Sequence, residues 1–534
     1  MVVRDQDTQM ATVAAAGRSA SDGPTRTGAD YLRGLAGRRV FSSGTSIEDV
    51  AEDPRTCAMA HLLAEMLDEA LVPGPFVGSS GFPLAYSIAS SPEDVRARGA
   101  AFAATARRSG GFMGRSPDFL ATVLTAWRAA SPHFGEHADD LVRYWERART
   151  LNLVLTHAIS DPPGDRHLPA ELRGAPRTLR AVDRTAEGLV VSGAKMLATL
   201  APFADDLIVY PFRPLGPAEA DQALCFAVPV ATPGLVLYSR PSLAVGAPQD
   251  RPLASRFDEM DAICVFDQVV VPWDRVFIDG DVERANALRP ATGMTTYAWH
   301  QSAVRSWIKA ELVFELAHAC ARAGGRDSAP VTRQRLGELA GIVESLRSLV
   351  VAAESAPQVD AHGNHVADPV PLAASGMLSS TLHPRAVELL GQVVGSGLVM
   401  HPVHADEEPG SATHDYFQEY FAGAGVDGME HGALLRTAAE LTLDRFGGRQ
   451  SLYERLFLGP PEVFAGKFYD EVVRRRAPGE LLRTVLGSGT GDPSGTGDPT
   501  AAVAVADAPT SSTAHDARPT ASTPSSVPRP VTVR

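Results

Sequence analysis

LNLVLTHAISDPPGDRH (residues 151–167) and VSGAKMLAT (residues 191–199) are the two runs on which the organisation of this chain turns. The first sets His157, His167, Asp161, Asp165, Arg166 and the pair Pro162–Pro163 directly after an apolar run. The second ends a β-like segment on Gly193, Lys195 and Thr199. Titratable groups are packed here beside backbone that Pro and Gly hold extended or turned, which is where binding groups usually sit. Taken alone, the stretch also reads as a polar connector between a helical region and a sheet region.

Working outward, the pattern changes on either side. From about 28 to 156 the chain reads as helices joined by loops: SIEDVAEDPRTCAMAHLLAEMLDEAL, SPEDVRARGAAFAATARRS, SPDFLATVLTAWRAA and HADDLVRYWERARTLNLVL place apolar residues at helical spacing. SPED combines a Ser cap, a Pro and first-turn acids. From about 157 to 277 the period shortens. GLVVSGAKMLAT, DDLIVYPF, ALCFAVPVA, GLVLYSR, AICVFDQVVVP and DRVFI are short β-branched and aromatic runs separated by Pro, Gly and Asp. Helices return from 278 to 486, with SAVRSWIKAELVFELAHACARA and VTRQRLGELAGIVESLRSLVVAAES the longest. The expectation is an α+β chain, mostly α, with a β unit between two helical blocks.

The ends differ from this body. Residues 1–27 and 487–534 are rich in Ser, Thr, Pro, Ala and Gly with no hydrophobic period, and both read as disordered tails. With 534 residues the chain exceeds one comfortable core, and its 44% hydrophobic content is ample for several. A net charge of -14 argues against nucleic acid or an anionic membrane as partner. Cys57, Cys225, Cys264 and Cys320 are widely spaced without a CxxC pair, so neither a disulfide framework nor a structural metal site is expected. A reducing cytoplasm fits, with no secretory signal and no bilayer-spanning window. No GxGxxG follows a strand, so a nicotinamide pocket on this chain is not expected.

Five stretches in fixed order carry a family resemblance: GRSPDF (114–119), HAISDPPGDRHLP (157–169), VSGAKMLAT (191–199), LASRFDEMDAICVFDQVVVPWDRVFI (253–278) and FGGRQSLYE (446–454). Together they make the chain resemble the 4-hydroxyphenylacetate 3-hydroxylase family of reduced-flavin-dependent aromatic monooxygenases. The resemblance implies an acyl-CoA dehydrogenase-like fold, with an N-terminal helical domain, a central β-barrel or sandwich and a C-terminal four-helix bundle, assembled as a homotetramer. It implies FAD, supplied as FADH2 by a separate flavin reductase, and O2, which together form a flavin C4a-hydroperoxide that hydroxylates a phenol ortho to its oxygen. The flavin carries the oxygen chemistry, and the protein excludes water and positions the ring.

The same resemblance puts Arg115 and His157 at the phenol oxygen, where a guanidinium and an imidazole favour the phenolate. Read without it, Arg115 is a helix-start arginine in a surface ion pair and His157 a packed histidine. Phe119 departs from the family pattern, in which many members have Tyr, so the aromatic wall survives without its hydroxyl. His300 is the candidate compensator, although a helix-start histidine bonded to backbone is an equal reading. Flavin contacts fall to His157, Ala158, Ile159, Pro163, Gly164, Asp165, Arg166 and Thr199, with Arg166 or Arg449 meeting the pyrophosphate. In Phe446, Gly447, Gly448 and Arg449 the glycines allow close backbone approach or simply mark a helix end. Arg256, Asp258, Glu259 and Asp261 read as a self-satisfying charge network. The substrate is a substituted, tyrosine-like phenol, free or tethered to a carrier protein. A same-fold flavoprotein dehydratase or dehydrogenase, a nitrogen or indole acceptor and a non-catalytic paralogue are the alternatives.

Overall fold

A computed structural model describes residues 23–164, 167, 177–457, 459–476 and 479–486. Asp165 and Arg166, proposed at the flavin, lie outside the described residues, as do residues 1–22 and 487–534 of the two tails. The chain divides into compact units at Arg476, and the described part of the second is the short helix Glu480–Val485. Everything below concerns the first unit.

Its N-terminal helices are α1 (Gly28–Gly34), α2 (Cys57–Glu69), α3 (Pro92–Arg107), α4 (Pro117–Ala129) and α5 (Ala138–Leu151). Local chemistry sets their starts. Thr27 and Asp30 form a reciprocal capping box on α1, and the Ser91 side chain accepts the Asp94 N–H with Pro92 in the first turn of α3. The helical reading of SIEDVAEDPRTCAMA was too long. Thr45–Ile47 and Val40–Ser42 are strands, and the helix begins only at Cys57. Leu153 to Leu155, read as the end of α5, likewise leave the helix at Asn152, whose left-handed conformation (φ 44°) turns the chain into a strand.

Among the described residues ten strands build the two main sheets, and Gln358–Val359 pairs with His365–Val366 as a separate two-stranded ribbon. β1 (Val40–Ser42), β2 (Thr45–Ile47), β4 (Arg180–Arg184), β5 (Gly188–Thr199), β8 (Leu235–Ser239) and β9 (Asp261–Pro272) form a six-stranded sheet in the order β2-β1-β8-β9-β5-β4. β3 (Leu155–Ala158), β6 (Asp206–Val209), β7 (Leu224–Pro229) and β10 (Val276–Asp279) form the second, ordered β10-β7-β6-β3. Alternation along the strands fixes which side chains face which layer. Leu207, Val209, Phe226 and Val228 join Phe266 and Val271 of the larger sheet in one core. Leu155, Ile208, Tyr210 and Cys225 face the other way, into a core with Phe119, Trp127 and Trp145 of α4 and α5. His157, two residues beyond Leu155, therefore points at α4.

Beyond the sheets come α6 (Val282–Thr292), α7 (Met294–Ala323), α8 (Pro330–Ser355), α9 (Pro369–Val394), α10 (Gly428–Thr442), α11 (Arg445–Leu456) and α12 (Pro461–Arg476). α7, α8, α9 and α10 pack on one another as a bundle, and α4 lies along α7. This is the three-layer order expected of an acyl-CoA dehydrogenase-like fold. Among the described residues no helix is long and apolar enough to cross a membrane.

Candidate functional site

Arg115 is delivered by a glycine turn. Gly110 and Gly111 both have positive φ, and a Cβ at Gly111 would meet the α7 backbone, Arg305 O at 2.7 Å and Lys309 N at 2.8 Å. Only glycine lets the chain pass this close before α4 starts. Its backbone N–H donates to Glu259 Oε1 at 2.7 Å, which pins the main chain. The guanidinium then donates to three neutral groups. It donates to His157 Nε2 from Nη2 at 2.9 Å and from Nε at 3.2 Å, to the Gly114 carbonyl at 2.9 Å, and to the Tyr453 hydroxyl. Its Cζ lies 4.4 Å from the centre of the Phe119 ring and 5.2 Å from that of Phe457.

His157 is buried on β3, and its Nδ1 lies 2.9 Å from the Tyr210 hydroxyl. Because a guanidinium only donates, Nε2 must accept, so the proton is on Nδ1 and is given to Tyr210. Burial, and then the fields of Arg115 and Arg289, hold the imidazole well below its usual pKa. It is neutral at any physiological pH. Its ring meets Phe119 edge-on at 5.9 Å, and Phe119 in turn meets Phe457 at 6.0 Å.

Tyr453 comes from the FGGRQSLYE run on α11 and was not singled out from sequence. A Cβ on Gly114 would sit 2.1 Å from its hydroxyl oxygen, so the glycine of GRSPDF is what admits the phenol ring of Tyr453. Burial pushes that hydroxyl up to about 12. Behind it, Arg305 and Lys309 of α7 share Glu454, with Gln450 and Ser306 completing the set. A cavity of about 310 Å³ borders this group, lined by Glu454 and Phe457 together with Trp299, Ser302, Ser306 and Ser379. A second cavity, of about 550 Å³, lies among α2, α3 and α4 and is lined by Phe102, Asp118 and Ala121.

The proposed flavin residues fall into two groups. Ala158, Ile159, Pro163 and Gly164 run off the end of β3, and the chain there is tied to β5 by a Ser160–Met196 bridge and by Lys195 Nζ on Asp161 Oδ1 at 2.5 Å. The two opening stretches of sequence are thus cross-linked, with Leu197 left 63% exposed beside them. Thr199 and Arg449 are otherwise engaged. The Thr199 hydroxyl donates to Asp261 at 2.7 Å, and Arg449 grips both oxygens of the same carboxylate at 2.7 Å each. Burial pushes Asp261 up, yet Arg449 and Arg240 outweigh it and hold the carboxyl well below the usual range. The acids read from SRFDEMDA do lie in a charge network, but with Arg240 and Arg449 rather than Arg256: Asp258 is on Arg240, Glu259 is 3.5 Å from Arg449, and Arg256 lies over the Phe257 ring. The Thr199 hydroxyl hydrogen and the Nε and Nη2 of Arg449 are thus committed to Asp261. Of the glycines of FGGR, Gly447 is packed, since a Cβ there would meet Leu441 O of α10 at 1.9 Å, while Gly448 is open; Phe446 packs on Phe112 at 5.3 Å.

His300 is a further correction. It is buried on α7 with Nε2 on Glu354 at 2.8 Å and its ring edge-on to Phe102 at 5.3 Å, and shares no contact with Arg115 or His157. Tyr453, not His300, brings a hydroxyl to the cluster. Tyr210, Phe457 and Arg289 also went unread, because each stands in a run whose apolar or helical pattern is sufficient by itself.

Two family models cover almost all of the chain between its tails: 4-hydroxyphenylacetate 3-hydroxylase N terminal over residues 27–278 and C terminal over residues 285–479. The chain belongs to the 4-hydroxyphenylacetate 3-hydroxylase family. It is 34% identical over 473 residues to the 4-hydroxyphenylacetate 3-monooxygenase oxygenase component of Thermus thermophilus, covering 86% of this chain and 97% of that one. It is 32% identical to a Streptomyces globisporus monooxygenase of a 3-amino-3-(3-chloro-4-hydroxyphenyl)propanoyl group on a peptidyl-carrier protein, covering 82% and 85% of the two chains. Among solved structures, an oxygenase component of 4-hydroxyphenylacetate 3-monooxygenase complexed with FAD and 4-hydroxyphenylacetate superposes with a TM-score of 0.80 at 32% identity, over 87% of this chain and 99% of that one.

Proposed function

We propose that this protein is the oxygenase component of a two-component, flavin-dependent monooxygenase that places one oxygen atom of O2 on the ring carbon ortho to a phenol hydroxyl. A separate flavin reductase supplies the FADH2, and the net change is phenol, O2 and FADH2 to catechol, FAD and water. The observation that carries the reading is the Arg115 guanidinium, held against His157, Tyr453 and the Phe119 ring with no carboxylate of the described residues on it. Family membership supplies the reaction class. A homotetramer in the cytoplasm belongs to the same proposal.

The residues present fit a flavin ring in one respect and not in another. The ledge of Ala158, Ile159, Pro163 and Gly164, cross-linked to β5 beside the exposed Leu197, offers open backbone and an apolar face. Arg449 fits the pyrophosphate less well, since its Nε and Nη2 already hold Asp261. Bound at the ledge, reduced flavin with O2 would supply the electrophilic oxygen. The chain's own work is on the phenol. Arg115 and the Tyr453 hydroxyl hold its oxygen as the phenolate, which raises electron density at the ortho carbon. His157 accepts a hydrogen bond at Nε2 but does not keep the proton, since burial and two guanidinia oppose the imidazolium. Phe119 and Phe457 wall the ring and keep water from it.

The test is turnover with a generic flavin reductase, NADH, 18O2 and a panel of para-substituted phenols. Catechols carrying one labelled oxygen, lost on Arg115→Ala, are expected. Oxidation of NADH to peroxide with no labelled product from any phenol would overturn the reading.

A further inference from the structure

The larger of the two cavities, of about 550 Å³ among α2, α3 and α4, has no lining residue among those described that belongs to the Arg115 cluster. Its wall is mostly apolar, with Met66 and Leu67 of α2, Ala101 and Phe102 of α3, and Phe76 from the loop between them. Four polar side chains interrupt that wall, Asp118, Tyr86, Thr105 and Asn152, each 8% exposed or less. An apolar hollow with a few polar groups set into it is what small-molecule sites share.

None of the four is fully satisfied by the fold. Asp118 Oδ1 accepts from the Ser116 hydroxyl at 2.5 Å and from Gln301 Nε2 at 3.2 Å, but its Oδ2 has no partner among the described residues, and neither has the Tyr86 hydroxyl. The Thr105 hydroxyl and the Asn152 amide likewise make no hydrogen bond among the described residues. A buried polar group left unpaired costs about 1–3 kcal/mol, so four in one wall point to an occupant.

The chemistry of the wall selects that occupant. All four groups can accept a hydrogen bond, and an ionised carboxylate can only accept. Burial pushes the Asp118 carboxyl up to about 6, against the bonds from Ser116 and Gln301, so at neutral pH it is charged and has no ion pair among the described residues. At the rim, the half-buried Arg108 lies 2.8 Å from Glu69 and 3.1 Å from Glu65, one cation against two acids. Phe76, Phe102 and Tyr86 add aromatic rings, which attract cations at their faces.

We propose that this cavity is a ligand site distinct from the phenol site, taking a small primary ammonium on an apolar or aromatic body, with the ammonium on Asp118 and the body against Met66, Leu67 and Phe102. The inference is independent of the proposed function. A neutral alcohol of the same shape would fill the space without compensating the carboxylate, and an anion would be repelled by it.

The test is calorimetric binding of benzylamine, benzyl alcohol and benzoate to the full-length protein at neutral pH, in wild type, Asp118→Asn and Arg115→Ala. Wild-type crystals soaked in 4-bromobenzylamine place the bromine by its anomalous scattering. Benzylamine should bind tightest and benzoate weakest. We expect Asp118→Asn to weaken benzylamine roughly 10- to 100-fold, the worth of a hydrogen bond to a charged group, and benzyl alcohol less than about 3-fold; Arg115→Ala should change neither. Melting temperatures report whether the variants keep the fold, and the soaked wild-type crystal does not depend on them. Bromine among α2, α3 and α4 supports the assignment, whereas bromine elsewhere, or ordered water alone in the cavity, overturns it. Benzoate binding as tightly as the amine, or an equal loss of amine and alcohol on Asp118→Asn, also overturns it. Loss of benzylamine on Arg115→Ala does the same, by placing the amine at the phenol site.

Discussion

Replacing Tyr453 by Phe isolates one hydroxyl at little structural cost. The ring keeps its packing on Phe457, at 5.3 Å between centres, and only the oxygen that accepts from Arg115 is removed. Because that oxygen accepts from Arg115 and no acceptor among the described residues takes its hydrogen, the O–H is free to donate to a phenolate that Arg115 also reaches. A hydrogen bond to a charged group contributes about 1.5–3 kcal/mol, which at about 1.36 kcal/mol per unit raises the pKa of the bound phenol by roughly 1–2 units when it is lost. 4-Nitrophenol reads this directly, since its phenolate absorbs visible light: titrating the complex through pH gives the bound pKa without turnover. The value should rise by that amount in Tyr453→Phe, and kcat should fall at any pH below it. Phe119→Tyr, placed in the same background, should recover part of the shift, because position 119 also lies against Arg115. An unchanged bound pKa in Tyr453→Phe, alongside a raised one in Arg115→Ala, would show that Tyr453 does not touch the phenolate.

Gly114→Ala should reproduce the Tyr453→Phe shift without altering any donor, because the new Cβ lies 2.1 Å from the hydroxyl oxygen and must displace it; bound 4-nitrophenol reports this too. His157→Ala should lower hydroxylation while leaving FADH2 affinity largely intact, as stopped-flow binding would show, and unchanged turnover would remove the imidazole from the reaction. Glu454→Gln leaves Arg305 and Lys309 buried without their carboxylate and should cost about 3–5 kcal/mol, seen as a fall of several degrees in melting temperature. Burial holds His383 at about 3, so the unfolded chain takes up a proton there first as pH falls below about 6.5. Its share of stability is whole above that pH and lost towards pH 3, about 2 kcal/mol by pH 5; His383→Leu should flatten that slope in urea titrations.

Strand alternation and helix capping made the layers legible in the sequence. Strands β5 to β10 appear where the β-branched and aromatic runs lie, whereas β3 was hidden in the apolar end of a helical pattern; once it is a strand, the shared parity of Leu155 and His157 assigns the imidazole to the helical side. What was not legible is partnership across long separations. Tyr453 lies 338 residues from Arg115, and nothing local to LYE distinguishes a hydroxyl at a site from a hydroxyl on a helix. Arg449 and Thr199 were assigned to a ligand because their residue types suit one, yet Asp261 had already engaged both, and sequence spacing carries no record of that competition. His300 failed for the same reason, its acceptor being Glu354 on another helix.

The way carboxylates are distributed explains why the cluster suits a phenolate in an acidic protein. Glu259 takes the backbone N–H of Arg115 rather than its side chain, Asp261 closes on Arg449 and Arg240, and Glu454 is shared by Arg305 and Lys309. None of these three acids lies on the Arg115 guanidinium, whose contacts among the described residues are an imidazole, a hydroxyl, a carbonyl and aromatic rings. That charge is held in place without being neutralised. A phenolate oxygen at about 4 Å would gain about 4 kcal/mol from it at an effective dielectric constant of about 20, enough to lower a phenol from about 10 to roughly 7. The neutral His157 follows first from burial and then from the same field: the cation that draws a phenol towards its anion adds to the desolvation that keeps a proton off the imidazole.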